Sequence, residues 1–171
     1  MARLSDGGLA VDVPSGWEAQ IDPGTGAWGG DQTGPVGMAA ATTGPTEMAD
    51  GAVRRTVAHL ANFPLAAGRG DFGGGAVESM HRSDVFISVF EHDPASAETA
   101  LFAPDGVPRS LKVGDFDPAA MQREVSGGSA VQRFFHVGGR AFCIYVVVGN
   151  HIDRRDVLPA INEVLASLEI Q

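Results

Sequence analysis

The chain has 171 residues and a formal net charge of −9, with 12 basic and 21 acidic side chains. This length suits one domain with a substantial core, so we expect residues 1–171 to form a single domain. The negative charge repels a phosphate backbone, and the longest apolar run, 141–148, is far shorter than the roughly 20 residues that span a bilayer. We therefore expect neither a nucleic-acid partner nor a membrane.

Cysteine usage and the N-terminus indicate the compartment. Cys143 is the only cysteine, which rules out an internal disulfide and favours a reducing environment. The first eight residues contain no apolar signal core. Both features predict a cytoplasmic protein.

The N-terminal part alternates between strand patterns and glycine-rich segments. Apolar residues alternate along residues 9–13 and again from Trp17, which predicts a strand, a turn and a second strand. Residues 22–35 are rich in glycine and proline, and they are predicted to be a loop. Trp28 in this loop is either a contact residue or a plug over the core. Residues 36–43 are predicted to form the next strand.

Residues 53–63 fit two patterns. Some of their apolar residues have helical spacing, whereas the alternation from Val57 to Phe63 fits a strand, and we favour the strand. A glycine-rich connection is predicted over residues 64–75, followed by a short helix over residues 76–81.

The middle of the chain contains one clear strand pattern. Residues 84–92 place valine and isoleucine on one face and phenylalanine on the other, which predicts a strand covered on both sides. Further along, Asp117 is predicted to cap a short helix that begins at Pro118.

The strongest pattern is a hairpin formed by residues 131–137 and 140–148. The glycines at positions 138 and 139 suit the positive φ angles of a two-residue turn. That turn fixes the register, so Phe135 is predicted to lie opposite Phe142. Since both faces of the second strand are apolar, we expect it to be central in its sheet.

The chain is predicted to end in a helix that packs on one face of this sheet. Asp156 is the expected N-cap, and Pro159 is expected in the first turn, where its missing N–H costs little. The apolar residues that recur at helical spacing are Val157, Ile161, Val164, Leu165 and Leu168.

Two stretches resemble the PsbP-like domains. The run Leu9-Ala-Val-Asp-Val-Pro-Ser-Gly-Trp17 is similar to their opening, and the final helix with Leu165-Ala-Ser-Leu-Glu-Ile170 is similar to their close. The runs Gly70-Asp-Phe-Gly73 and Gly139-Arg-Ala-Phe-Cys-Ile-Tyr145 resemble uncharacterised actinobacterial proteins. The resemblance covers about a third of the chain. It implies an αβα sandwich and an accessory or binding role, and it carries over no catalytic set.

Together the patterns predict an α+β fold. We expect a mainly antiparallel sheet of five to seven strands with helices packed against it. The C-terminal helix is the best defined of these helices, because its apolar spacing and its end signals agree.

One motif suggests a nucleotide-binding site. Residues 68–73 match G-x-G-x-x-G, and Glu91 follows at the end of the next predicted strand, where a ribose-binding acid belongs. Three features oppose it: Pro64 precedes the first glycine, Asp71 adds negative charge, and the next helix is too short for a crossover. The competing interpretation is a glycine-rich turn that presents Arg69 and Asp71.

Other candidates lie on the predicted sheet. His136 and Cys143 are diagonal neighbours in the hairpin, but a cysteine in the middle of an apolar strand is expected to be inert packing. Arg133 and Arg140 share a face on which Glu91 is their expected ion-pair partner, and the alternative is an anion-reading site. The histidines, His92 among them, lack metal-ligand spacing, so we expect no metal and no cofactor.

The sequence therefore favours a non-catalytic accessory or protein-binding module with an unknown protein partner, and a homodimer is one option. It would act through a sheet face, the 22–35 loop or the 64–75 loop. The alternative is a small-molecule- or nucleotide-binding protein or enzyme that uses residues 68–75 with Glu91 and His92. No catalytic residue is predicted. The candidate binding residues are Trp28, Arg69, Asp71, Glu91, His92, Arg133, His136 and Arg140.

Overall fold

The structure is a computed structural model that describes residues 1–23, 55–123 and 125–171. These residues form two antiparallel sheets and one α-helix, α1, which confirms the α+β class. The smaller sheet has the order β1-β2-β8 and the larger one β3-β4-β5-β7-β6. The elements are β1 Ala2–Asp6, β2 Leu9–Val13, β3 Glu18–Asp22, β4 Val57–Ala61, β5 Val85–Glu91, β6 Ser129–Val137, β7 Arg140–Val148, α1 Arg154–Ser167 and β8 Glu169–Ile170.

The predicted hairpin forms one side of the larger sheet, with β6 at the edge and β7 inside. Gly138 and Gly139 have φ angles of 56° and 81°, so they form the two-residue turn that their sequence predicts. Phe135 lies opposite Phe142, which confirms the predicted register. Strand β7 pairs with β5 on its other side, so it is central, as its two apolar faces predict.

The two faces of the larger sheet are covered differently. The helix face, which carries Val85, Ile87 and Val89 of β5, packs in one apolar cluster with α1 and with β2 of the smaller sheet. The loop face, which carries Phe86, Ser88 and Phe90 of β5, is covered by irregular segments. The apolar side chains that these segments contribute are Phe63, Leu65, Phe72, Val77, Met80, Ala120, Met121 and Val125.

Several element predictions need correction. The described residues form eight strands in two sheets, and β1 has no counterpart in the sequence analysis because its residues are mostly polar and exposed. The predicted helix over 76–81 is a single 3-10 turn, Val77–Ser79, and the one after Asp117 is another, Pro118–Ala120. The Asp117 carboxylate does cap that turn by accepting from the Ala119 N–H at 2.8 Å.

The C-terminal helix begins earlier than predicted. Its first residue is Arg154 and its N-cap position is Asp153, so Asp156 lies in the first turn and Pro159 lies inside the helix. The cause is Asn150, whose side-chain oxygen accepts from the Ile152 N–H at 2.9 Å and already turns the chain.

One of the earlier ambiguities can be assigned. The strand interpretation of residues 53–63 is confirmed where the chain is described, because residues 57–61 form β4. Trp28, the predicted strand at 36–43 and most of the predicted loop at 22–35 lie outside the described residues. No helix in the described part of the chain has the length and apolar character needed to traverse a bilayer.

Candidate functional site

The glycine-rich loop is built for close packing. Gly73 has a φ angle of 78°, and a Cβ at this position would lie 2.6 Å from Cε1 of Phe86 and 2.8 Å from Cγ2 of Val77. Its N–H donates to the Gly70 carbonyl at 2.8 Å, and the Gly70 N–H donates to the Gly74 carbonyl at 3.0 Å. The glycines thus serve a tight turn against the sheet.

This loop lacks the surroundings of a pyrophosphate site. The strands on either side of it, β4 and β5, are antiparallel, and only the 3-10 turn Val77–Ser79 follows the glycines. A dinucleotide fingerprint needs parallel strands and the N-terminus of a longer helix. Glu91 lies in phase with Val89 on the helix face, whereas the loop packs on the loop face, so the structure separates the two.

A buried histidine joins the loop to the sheet. His59 of β4 is 7% exposed, and its Nε2 lies 3.0 Å from the Asp71 carbonyl oxygen. Arg69 donates from Nε to Nδ1 of His59 at 2.9 Å and from Nη2 to Oε1 of Gln20 at 2.8 Å. The Ser88 hydroxyl donates to the same Asp71 carbonyl at 2.5 Å. Five polar residues therefore pin this loop to the loop face.

The hydrogen bonds fix the state of His59. An arginine can only donate, so Nδ1 of His59 accepts and Nε2 carries the proton that goes to the Asp71 carbonyl. Burial lowers the pKa of His59 to about 4, and the charge of Arg69 acts in the same direction. Burial also raises the pKa of the half-buried Asp71 carboxyl, with Asp22 contributing. The histidine that holds this loop is therefore neutral.

The predicted candidates Arg69 and Asp71 do come together here, but Arg69 is occupied. Its guanidinium also donates to the Ala66 carbonyl at 2.9 Å, so each bond holds the loop. Sequence reasoning missed His59, although its position between Val57 and Ala61 in an alternating strand places it on a covered face.

His92 lies in an aromatic cluster on the loop face. Its ring centroid is 4.9 Å from those of Phe90 and Phe102 and 6.1 Å from that of Phe134. Within the part of the chain that the structure describes, its buried Nε2 has no hydrogen-bond partner. Burial lowers the pKa of His92 to about 4, so the ring packs as a neutral group.

Glu91 and Arg140 form a buried ion pair. Arg140 donates from Nε and Nη2 to the two carboxylate oxygens at 2.8 and 2.9 Å, which confirms this pairing over the anion-reading alternative. The same guanidinium donates to the carbonyls of Gly7 and Gln171 at 3.2 and 2.6 Å. Although burial favours the protonated acid, hydrogen bonds from Arg140 and Thr56 hold the pKa of Glu91 below its ordinary value.

Cys143 and His136 are diagonal neighbours in the register of the hairpin, as predicted, and their surroundings differ. Cys143 is fully buried, and burial strongly raises the pKa of its thiol. His136 instead directs Nδ1 to the Phe102 carbonyl at 2.8 Å and Nε2 towards Asp105 at 3.6 Å. Cys143 therefore packs in the core, and His136 holds the Phe102 segment against the sheet.

The outer edge of β6 is closed at its two ends. In a two-residue hairpin the even-numbered residues of β6 direct their main-chain groups away from β7. Ala130 exchanges both of its outward hydrogen bonds with Asp117, at 3.1 and 2.9 Å. His136 donates to the Pro104 carbonyl at 2.9 Å and accepts from the Gly106 N–H at 2.9 Å.

Between these closures the edge is open over three residues, Gln132, Arg133 and Phe134, which we term the edge window. Within the described residues, no partner is found for the N–H of Gln132 or for the N–H and carbonyl of Phe134. Arg133 donates from Nη1 to the Gln132 carbonyl at 2.9 Å and from Nη2 to Asp115 at 2.8 Å. Arg133 therefore pairs with Asp115, and the predicted partner Glu91 is engaged by Arg140.

The sequence held a signal for this site. The two-residue turn fixes which residues of β6 direct their main-chain N–H and C=O groups away from β7. It does not reveal whether another strand lies beside them. The extent of the open edge depends on the contacts of residues 104–106 and 117 with β6, which no local sequence pattern predicts.

A groove lies at the other end of the hairpin. It has a volume of about 880 Å³ and opens to solvent, with Ile152 on its rim at 79% exposure. The remaining lining residues are Pro118, Ala119, Met121, Val125, Ser126, Gly127, Gly128, Asn150 and His151.

Among the described residues there is no group of three or more histidine, cysteine, aspartate or glutamate side chains arranged to hold a metal ion. Comparisons with protein-family models, with curated proteins and with solved structures find no match to this chain.

Proposed function

We propose that the chain is a non-catalytic protein-binding module that takes an extended segment of a partner protein at the edge window. The observation that carries this proposal is the set of outward main-chain groups of Gln132 and Phe134, which have no partner among the described residues. An extended peptide beside a sheet edge supplies the complementary donors and acceptors of a strand.

The expected affinity is low. A main-chain hydrogen bond contributes about 0.5–1.5 kcal/mol net, so the three available groups supply about 3 kcal/mol. Side-chain contacts with the partly buried Phe134 add to this. The loss of translational and rotational freedom on binding opposes these contacts, so we expect a Kd of about 1 mM or weaker, which suits a transient accessory contact.

The burial and pKa shifts of the histidine and cysteine side chains support the proposal that the chain is not a catalyst. His59 is locked as a neutral ring between Arg69 and a carbonyl, and Cys143 is a buried thiol with a raised pKa. The PsbP-like resemblance, which implies accessory roles, agrees with this. A single buried cysteine also supports our proposal of a cytoplasmic location, where thiols stay reduced.

Hydrogen exchange of the amides in β6 tests the proposal. The probe is the neutral peptide acetyl-Thr-Val-Thr-Val-Thr-amide, and its control carries N-methyl groups that remove the donors. At a probe concentration five times Kd, we expect the Gln132 and Phe134 amides to exchange about sixfold more slowly. The amides of Arg133 and Phe135 already face β7, so they should be protected with or without the probe.

Two outcomes would contradict strand addition at this site. One is unchanged exchange at Gln132 and Phe134 with several millimolar probe. The other is protection of Arg3 and Ser5 in β1, which also lies at the edge of its sheet.

A second candidate function is small-molecule binding in the groove. The sequence had placed this alternative function at residues 68–75, and the groove would replace them as its site. Its volume of about 880 Å³ lies within the range of ligand pockets, and Ser126, Asn150 and His151 supply polar groups beside its apolar lining. Titration with fragment-sized aromatic ligands should shift the amide signals of Gly127, Gly128 and His151 if this holds. Shifts confined to other regions would exclude the groove.

A further inference from the structure

The edge window has an apolar side and a charged side. On the loop face, the ring of Phe134 is partly buried and its centroid lies 5.4 Å from that of Phe102. On the helix face, the Arg133 side chain is 41% exposed and reaches over the edge to the Gln132 carbonyl. A guest strand would contact both sides.

The register of an antiparallel guest follows from the outward groups. Its hydrogen-bonded residues lie opposite Phe134 and Gln132, and the residue between them lies opposite Arg133. Residues directly opposite share a face, so the first guest side chain meets the Phe134 ring and the second meets the Arg133 guanidinium.

The closures at both ends limit what can enter. Ala130 and His136 are six positions apart, or about 20 Å of strand. If β6 of a second copy lay here, its length would run into residues 104–106 and residue 117, which already occupy the plane of the sheet beside β6. The occupant that fits is therefore a short extended segment, such as a projecting loop or chain end of a partner protein.

Arg133 decides which segment fits best. When a guest N–H takes the Gln132 carbonyl, Nη1 of Arg133 loses its acceptor, while Nη2 keeps Asp115. A carboxylate on the middle guest residue replaces the lost acceptor, whereas an ammonium group there repels the guanidinium.

We propose that the partner segment carries an aromatic or β-branched residue followed directly by Glu or Asp, and that Arg133 selects the acid. This inference rests on the proposed strand addition at the edge window. It makes Arg133 a specificity-determining residue.

The test compares acetyl-Thr-Phe-Glu-Thr-Thr-amide with the same peptide carrying Lys in place of Glu, at physiological salt. The readout is the shift and exchange of the Gln132 and Phe134 amides. We expect the Glu peptide to bind about two- to fivefold more tightly, the size typical of a half-exposed ion pair. In Arg133→Ala the preference should vanish and the Lys peptide should bind more tightly than it does to the natural chain, since the Gln132 carbonyl is then uncapped.

The matched control is Arg82→Ala, which removes another exposed arginine from an ion pair with Asp153 and should keep the preference. Unchanged exchange of the Phe135 amide verifies that each variant is folded. Equal binding of both peptides at the edge window overturns the selectivity and leaves strand addition standing. Failure of both peptides to protect Gln132 and Phe134 overturns strand addition as well.

Discussion

Acid sensitivity centred on His59 is the sharpest prediction from the buried polar network. The folded chain holds this histidine neutral with a pKa of about 4, compared with 6.5 in the unfolded chain. Between these values the unfolded chain binds the extra proton, so stability is lost as the pH falls from about 6.5 to about 4. For this side chain alone, going from pH 7 to pH 4.5 should cost about 2 kcal/mol.

The informative substitution is His59→Gln. A glutamine amide can donate to the Asp71 carbonyl and accept from Arg69, as the neutral histidine does, but it does not titrate. We expect similar stability at pH 7 and about 2 kcal/mol less acid-induced loss by pH 4.5. His92, whose pKa is also lowered to about 4, adds to the acid sensitivity of both proteins, and the raised pKa of Asp71 opposes it in both.

Urea denaturation followed by tryptophan fluorescence at pH 7, 5.5 and 4.5 measures the effect. The lower limit is chosen because Glu91, whose pKa is held below its ordinary value, loses its stabilising contribution at still lower pH. His81→Gln is the matched substitution at an exposed histidine, whose side chain is 88% exposed. If His59→Gln loses as much stability as the natural chain by pH 4.5, the proposed network is wrong.

Three further outcomes are expected. Gly149→Ala should lower the free energy of unfolding by about 3 kcal/mol or more, because its Cβ would overlap the main-chain carbonyl oxygen of His81. Gly114→Ala, with no atom within 4 Å of its Cβ, should cost little in calorimetry. Arg140→Ala should cost about 3–5 kcal/mol by leaving a buried carboxylate unpaired, and adding Glu91→Gln should recover part of that loss in urea titrations; full stability of the single variant would contradict the ion-pair account. Cys143 should react with iodoacetamide at least about 100-fold more slowly in the native chain than in urea, and equal rates would contradict its burial.

The hairpin was predictable from sequence because its determinants are local. Two adjacent glycines specify the turn, the turn specifies the register, and the apolar residues on both faces of β7 specify a central position. The predicted start of α1 was three residues too late, since Asn150 turns the chain before Asp156, the expected N-cap.

The candidate site was less predictable because its determinants are non-local. The spacing of Gly68, Gly70 and Gly73 suits a phosphate loop, yet Gly73 is required by its contact with Phe86, a neighbour that only the fold reveals. Similarly, Arg69 was identified as a binding residue, but its acceptors on His59 and Gln20 come from separate strands. The sequence predicted the Arg140–Glu91 pair from a shared sheet face, but it did not predict that Arg133 pairs with Asp115.

The junction at Arg140 has a consequence for how the protein opens. One guanidinium connects Glu91 of the larger sheet with Gly7 in the β1–β2 turn and with Gln171 after β8. Lifting the smaller sheet would break these bonds and hydrate the apolar layer it shares with α1. The two sheets should therefore melt in one cooperative transition, and amides of β2 should exchange only when the whole chain unfolds.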